Sequence, residues 1–302
     1  GLALTTGVGG ELQKYGNIAS MKSSGVEMSL STTNIKNEDF SWTTSLIYSY
    51  THNEVTELRS ATRMLDLVSG VGYAMEGYPV GAIFSIPFVG LNEEGLPQYI
   101  NESGEVTVSD INFQQNDPEQ LKYLKYEGSA DPKHVGSFGN IFRYKNFTLN
   151  VFLTYSFGNV VRLDPIFSNT YDDLVATPKE FNNRWTVPGD EKHTTVPVIP
   201  SKMQNQLDAN LRYAYNAYNY STERIAKGDF IRMKEISLSY DFPKSLIQNL
   251  GVNTLSLKLQ GTNLFLLYAD KKLNGQDPEF FNTGGVALPM SKQFTLTLKV
   301  GI

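Results

Sequence analysis

The feature that most constrains the fold is a strict alternation of apolar and polar residues over long stretches. From Phe40 to Thr51 the even-numbered residues are mostly aromatic or aliphatic, and the odd-numbered ones are mostly serine and threonine. Phe147 to Phe157 and Phe294 to Ile302 alternate in the same way. Since successive side chains of a β-strand point to opposite faces, the pattern predicts strands with one apolar and one polar face. Shorter stretches bring the predicted total to about seven strands: Val26–Leu30, Phe138–Tyr144, Ile236–Phe242 and Leu255–Leu259.

The composition excludes several classes of protein. The chain has no cysteine, so it has no disulfide framework and no thiolate metal site or nucleophile. Its three histidines, His52, His134 and His193, have no partners at metal-ligand spacing. A net charge of -5 gives no basic surface for a nucleic acid. The best apolar run, Val80 to Leu91, is interrupted by Pro87 and is shorter than the roughly 18 residues of a membrane helix. We therefore expect no cofactor, no metal and no membrane-spanning helix.

The lengths of the connections separate two all-β architectures. Short connections at 34–39, 145–146 and 243–253 alternate with long ones at 52–133, 158–228 and 266–291. A soluble sandwich also has alternating strands, but it gives no reason for this order of connections. Outer-membrane barrels do, because they have short periplasmic turns at one rim and long extracellular loops at the other. The sequence therefore predicts part of an antiparallel transmembrane β-barrel, with the long connections outside the cell.

The first long connection is predicted to contain no membrane crossing. Val80 to Val89 and Gln98 to Ile100 would instead form a hairpin within the loop, turning at residues 92–95. The alternative is that the apolar run forms part of a further pair of crossing strands.

A series of short sequence blocks extends over nearly the whole chain: residues 25–27, 40–42, 136–140, 142–145, 155–158, 184–186, 188–190, 228–234, 261–265 and 277–279. Each block is weakly specific by itself. In their order and spacing they resemble the C-terminal part of the SusC/RagA family of TonB-dependent outer-membrane transporters.

The resemblance implies a large barrel of about 22 strands with a plugged lumen. Residues 1–302 would be the C-terminal part of that barrel, and the plug and any N-terminal accessory domain would be absent from this chain. The first residue is Gly1, with no signal peptide before the first strands, and we interpret the chain as a processed or truncated piece.

The function that the resemblance implies is import of glycan or peptide fragments across a bacterial outer membrane. A SusD-like surface lipoprotein would act as the lid, and TonB would supply energy through the missing N-terminal part. The barrel itself would not be an enzyme. Two alternatives remain open at this point: a passive porin and a soluble all-β carbohydrate-binding module.

The candidate contact residues for partner or substrate are Trp185, Tyr213, Tyr215, Tyr218 and Tyr220. Tyrosine rings stack on sugars or peptide groups while their hydroxyls form hydrogen bonds. The other interpretation is that these residues pack within a loop or form an aromatic girdle at the membrane rim. For Trp185, within Arg184-Trp185-Thr186, a structural role as a loop anchor is favoured over substrate contact.

Charged residues complete the list of candidates. The adjacent carboxylates Glu93-Glu94, Asp172-Asp173 and Asp190-Glu191 could bind calcium or act as a catalytic pair, but solvated loop acids are the more common case. Asp117-Pro118-Glu119 and Asp277-Pro278-Glu279 are interpreted as turn openers. Arg232 and Lys234 are even-numbered, like the apolar Ile236, so a regular strand would place all three on the lipid-facing side. The strand must therefore either leave the membrane before residue 235 or contain a bulge that exchanges its faces.

Overall fold

The structure, a computed structural model, describes residues 2–3, 13–14, 19–59, 62–69, 74–167, 179–280 and 291–302. The chain forms two compact units. The loop unit comprises Gly1–Ser24, His52–Ala130 and Arg162–Ala226, and the sheet unit comprises Gly25–Thr51, Asp131–Val161 and Lys227–Ile302.

The strands in chain order are β1 (Leu2–Ala3), β2 (Gln13–Lys14), β3 (Ala19–Lys36), β4 (Phe40–Leu58), β5 (Ala82–Ser85), β6 (Phe88–Leu91), β7 (Pro97–Ile100), β8 (Val106–Thr107), β9 (Lys125–Ser129), β10 (His134–Tyr144), β11 (Phe147–Phe157), β12 (Val160–Arg162), β13 (Ile225–Lys227), β14 (Phe230–Asp241), β15 (Thr254–Ala269) and β16 (Gln293–Gly301). The α-helices are α1 (Met64–Ser69), α2 (Lys202–Leu207), α3 (Leu211–Asn219) and α4 (Lys244–Ile247). Short 3₁₀-helices cover Gln120–Tyr123, Lys179–Asn183, Asp190–Lys192, Thr222–Arg224, Gln248–Leu250, Lys271–Leu273 and Pro278–Phe280. In the described part of the chain, no helix combines the length and the hydropathy needed to span a membrane.

The main sheet has seven strands in the order β16-β15-β14-β11-β10-β4-β3, so each strand lies beside its neighbour in sequence among the seven. This confirms the predicted seven-strand set. None of the described strands between β4 and β10 joins this sheet, which confirms that the first long connection contributes no crossing. The strands are longer than predicted, because alternation continues into polar residues: β3 has 18 residues and β4 has 19.

The register gives the sheet one mainly apolar face, on which the polar Asn140 and Thr44 are hydrogen-bonded to each other. Directly opposed residues of an antiparallel pair lie on the same face. Leu153 of β11 lies opposite Phe138 of β10 and Met233 of β14, and Phe138 in turn lies opposite Leu46 of β4. The other face carries mostly serine, threonine and charged side chains, with a few apolar ones such as Ile141 and Phe152. This is the alternation of a barrel wall, with an apolar outward face and a polar face towards the lumen.

Aromatic residues mark both ends of the apolar face. Phe147 packs against Tyr240 at the end near the short turns, with 4.6 Å between ring centroids. Tyr155 and Phe157 stack at the opposite end. The 11 residues of β11 cover roughly 33 Å along the strand. At a tilt of about 40° that is about 25 Å of height, which matches the apolar band of outer-membrane barrels.

The short connections are built as the sequence predicts. Lys145 has a φ of 50°, the left-handed conformation that a two-residue hairpin turn requires. The side-chain oxygen of Asn37 accepts a hydrogen bond from the backbone N–H of Phe40, which closes the β3–β4 turn. The short connection at 243–253 contains α4 and the 3₁₀-helix that follows it.

A β-bulge in β14 resolves the face assignment of Arg232. Phe152 and Leu153 of β11 are consecutive, but their partners on β14 are Glu235 and Met233, so Lys234 is an extra residue. The bulge exchanges the faces, and Arg232 lies opposite Thr154 on the polar face. The bulge alternative is therefore confirmed.

The first two long connections, 52–133 and 158–228, are predicted as separate loops but pack together in the loop unit around one hydrophobic core. Met64, Phe84 and Tyr99 from the first connection share this core with Leu211 and Tyr218 from the second. The predicted turn at 92–95 is present, with Asn92 and Leu96 joined by a backbone hydrogen bond. The run Val80 to Val89 is not one hairpin strand, however, because β5 pairs with β9 and only β6 pairs with β7. Pro87 lies at this division and has no N–H to continue a ladder.

Candidate functional site

The tyrosine-rich segment forms helix α3 and not the irregular loop that we predicted. Leu211, Ala214, Tyr215 and Tyr218 are buried and have the spacing i, i+3, i+4, i+7, which places them on one side of a helix. The alanines and leucine favour the helix intrinsically. The helical period is present in the sequence, but both interpretations of the four tyrosines, as contact residues and as packing within a loop, assumed that the segment is not helical.

Two of the four tyrosines lie in the core of the loop unit. Tyr218 has no exposed surface, and its ring makes an edge contact with Phe167 at 5.7 Å between centroids. Tyr215 is buried against the same phenylalanine, and its hydroxyl donates to the carbonyl oxygen of Val198 at 2.6 Å. Burial raises the pKa of both tyrosines above the usual value, so both hydroxyls stay protonated.

The other two tyrosines are half-buried and lie at the edge of this core. Tyr213 and Tyr220 both contact the ring of Phe113, at 6.3 and 6.4 Å between centroids. The guanidinium of Arg212 lies 4.9 Å from the centre of the Tyr213 ring. These two side chains therefore have surface left for another molecule, and Tyr215 and Tyr218 act mainly in packing.

Trp185 is also buried, beneath the β6–β7 turn. Its backbone N–H donates to Val196 at 2.9 Å, and its indole N–H donates to the carboxylate of Glu191 at 3.1 Å. Gly95 has a φ of 75°, and a Cβ built on it would lie 2.5 Å from the indole ring. The tryptophan thus anchors one long connection to the turn of the other. Its assignment as a partner- or substrate-facing residue stays a prediction.

The adjacent acids near Trp185 hold a turn. The side chain of Asp190 accepts hydrogen bonds from the backbone N–H groups of Thr186 and Val187 at 3.0 and 3.1 Å. These bonds lower the pKa of Asp190, and the bond from Thr186 has the largest effect. The pKa of Glu191 is lowered by its own backbone N–H and by the indole of Trp185. Both carboxylates are therefore charged acceptors with assigned partners.

The remaining acidic candidates are placed as follows. Asp172 and Asp173 lie outside the described residues. Glu93 and Glu94 lie in the β6–β7 turn, where the side chain of Asn92 accepts the backbone N–H of Glu94. Among the residues that the structure describes, no group of three or more His, Asp or Glu side chains could hold a metal ion.

A half-buried arginine that the sequence reasoning missed joins the first two long connections. Arg162 donates to the carbonyl oxygen of Phe84 at 2.6 Å and to the hydroxyl of Ser85 at 3.2 Å. Its guanidinium lies 5.7 Å from the centre of the Tyr220 ring. Burial lowers the pKa of Arg162 to about 10. The half-buried Tyr220 is therefore fixed in position by a charged group beneath it.

The polar face of the sheet carries its own hydrogen-bonded cluster, centred on Glu235. The carboxylate accepts from the amide of Asn150 and the hydroxyl of Ser237, each at 3.1 Å, and Lys258 lies 3.7 Å away. A charged residue surrounded by polar partners suits a water-filled lumen and not a hydrocarbon surface. Only the bulge places Glu235 and Arg232 on the same face, which is why residue parity alone could not group them.

Comparison with known proteins gives curated relatives over most of the chain. No protein-family model matches. TonB-dependent receptor P3 of Formosa agariphila is 26% identical over 302 residues, covering 91% of this chain and 26% of the relative. TonB-dependent receptor P39 of the same organism is 27% identical over 323 residues, covering 90% of this chain and 29% of the relative.

The resemblance to TonB-dependent receptors is confirmed.

Solved structures agree at the level of the fold. The RagAB peptide transporter aligns with a TM-score of 0.69 and 22% identity, covering 96% of this chain and 30% of that one. The RagAB peptide importer in its open-open state gives a TM-score of 0.70 at 22% identity, covering all of this chain and 31% of that one. The prediction of an all-β barrel portion is therefore confirmed. The chain spans only about a quarter to a third of the proteins that it matches.

Proposed function

We propose that this chain is a wall sector and extracellular surface of a SusC/RagA-like, TonB-dependent importer in a bacterial outer membrane. The observation that carries the proposal is the combination of receptor relatives over about nine-tenths of the chain with a seven-strand sheet of barrel type. The relatives are called receptors and transporters, which supports binding and transport in preference to catalysis.

The outward apolar face supports a membrane location over the soluble carbohydrate-binding module. Phe294, Leu296 and Leu298 of β16 are 74%, 69% and 62% exposed on that face. Soluble monomers rarely expose a contiguous apolar surface of this extent. Outer-membrane lipid is the partner that such a face requires.

The loop unit is the proposed docking surface for a SusD-like lipoprotein and for cargo. Its buried core makes it a rigid platform, and Tyr213 and Tyr220 present aromatic surface that is already held by Phe113 and Arg162. Partly exposed tyrosines on a rigid support are typical of interface anchors. Trp185, Tyr215 and Tyr218 would support this surface from beneath. TonB would act through parts of the transporter outside this chain.

The cargo class is proposed as peptide or glycan fragments. The RagAB structures are of a peptide importer, but at 22% identity that likeness concerns the fold and leaves the cargo open. The test is uptake of labelled oligopeptides and oligosaccharides by cells with and without the full-length gene, each with and without a proton-motive uncoupler.

The two controls separate the alternatives. Energy-dependent uptake of one cargo class that disappears with the gene would support the importer. Gene-dependent uptake that is unaffected by the uncoupler would indicate a passive porin. Recovery of the full-length protein in the soluble fraction would contradict the membrane assignment altogether.

A further inference from the structure

The bulge in β14 places a buried cation at a defined depth on the lumen side of the sheet. Arg232 lies opposite Thr154, seven positions along β11 from Phe147. That distance is roughly 23 Å along the strand and about 18 Å along the barrel axis, which is within the height of the apolar band. The Arg232 side chain is nevertheless only 7% exposed. Something other than water therefore covers it on the lumen side.

The cover is the segment that follows β15. Asp277 forms an ion pair with the Arg232 guanidinium through both carboxylate oxygens, and the Asp277 side chain is only 8% exposed. Glu279 approaches the Nε atom of Arg232 at 3.1 Å and is 42% exposed. The turn that the sequence predicts at 277–279 is present, since Asp277 also accepts the backbone N–H of Glu279.

Other contacts hold the same segment against the sheet unit. Asp270 accepts the backbone N–H of Lys227 at 2.8 Å, and this bond fixes the start of the segment. Leu273 is 1% exposed, and Pro278 is also buried. The segment 270–280 is thus tied at its start to Lys227 and docked near its end on the polar face through Arg232. The segment cannot lift partly from the sheet at low cost, because separating Asp277 from Arg232 would leave a buried charge without its partner.

We propose that residues 270–280 are a fixed ledge that narrows the barrel lumen, and that Arg232, Asp277 and Glu279 are the clamp that keeps it there. The inference rests on the proposed barrel and goes beyond the proposed import. It assigns this segment to the wall of the transport path and not to a moving lid. Loss of the clamp should release the ledge and widen the path without changing the strands.

The test compares Arg232→Met and Asp277→Asn with Lys234→Met in the full-length protein, purified in detergent and then reconstituted into liposomes. Lys234 is the extra residue of the bulge, so its variant removes a charge two positions away while leaving the clamp intact. The first readout is amide hydrogen exchange of 270–280, and the second is liposome swelling in raffinose. Neither readout requires the cargo, so failure of the import proposal would not affect them.

In both clamp variants we expect the amide hydrogens of 270–280 to exchange at least about tenfold faster, because the segment opens locally. Raffinose influx should rise several-fold. Lys234→Met should match the wild type in both readouts. Glu279→Gln, which alters the exposed partner, should have a smaller effect and serves if a stronger variant does not assemble. If the clamp variants exchange the amides of 270–280 at the wild-type rate, Arg232 and Asp277 do not hold the segment in place. Faster exchange with unchanged influx would overturn the constriction.

Discussion

Lysine placed on the two faces of β11 should have opposite consequences at adjacent positions. Val151 lies on the outward face, opposite Asn140 of β10 and Ile236 of β14. It is four positions from the aromatic row at Phe147, which is about 10 Å along the barrel axis and close to the middle of the band. Asn150 is its neighbour on the polar face.

The expected penalty follows from that depth. Val151→Lys places an ammonium group near the middle of the hydrocarbon and should lower the free energy of unfolding by about 2–4 kcal/mol. Leu149→Lys, nearer the aromatic row, should cost less, because the penalty falls towards the interface. Asn150→Lys loses a hydrogen bond to Glu235 but places its ammonium beside that carboxylate. It should therefore be tolerated.

The assay is equilibrium unfolding of the full-length protein in lipid vesicles, with heat-modifiable migration as the check on assembly. Equal destabilisation by Val151→Lys and Asn150→Lys would refute the face assignment. A larger loss at Leu149 than at Val151 would refute the depth assignment instead.

Three further predictions concern the loop unit. Tyr218→Ala should destabilise it by about 3–5 kcal/mol by opening a cavity in its core, whereas Met203→Ala, at a side chain that is 68% exposed, should be nearly neutral; amide exchange of α3 measures both. Gly95→Ala should cost about 1–3 kcal/mol in the same measurement, because its Cβ would overlap the Trp185 ring at a positive φ. The lowered pKa of Asp190 means that its stabilising bonds are present above the usual carboxyl range and are lost as the pH falls through the folded-state pKa. Acid titration of Trp185 fluorescence, with other tryptophans replaced by phenylalanine, should therefore show a transition that Asp190→Asn weakens; an unchanged transition would contradict the role of Asp190.

The barrel sector could be predicted from the sequence because its determinants are local. The alternation in β11 and the two-residue turn at Lys145 depend on residues within one hairpin. Even the bulge was foreseen as one of two ways to keep Arg232 out of hydrocarbon. Physical constraints on single strands were sufficient for these features.

The loop unit could not be predicted in the same way, since its core joins residues far apart in the chain. Tyr99 donates to the carbonyl oxygen of Ala214, a contact across 115 positions. Two connections that form one core look like two polar loops when each is considered alone. Deleting Leu211 to Tyr220 would remove helix α3 and with it part of this core.

The Arg232 clamp was missed for a related reason. Arg232 and Asp277 were each given a local explanation, as a misplaced cation and as a turn opener. Their pairing requires the bulge and the return of the chain after β15, and neither is visible as a spacing.

The most direct test of the account is a nitroxide scan of β11 in the full-length protein in lipid. Because this chain has no cysteine, single cysteines at each position from 147 to 157 can be labelled one at a time after removal of any others. We predict that odd-numbered positions will be accessible to dissolved oxygen and shielded from a water-soluble nickel complex. Even-numbered positions should show the reverse. Equal access to the nickel complex at odd and even positions would contradict a membrane-facing wall.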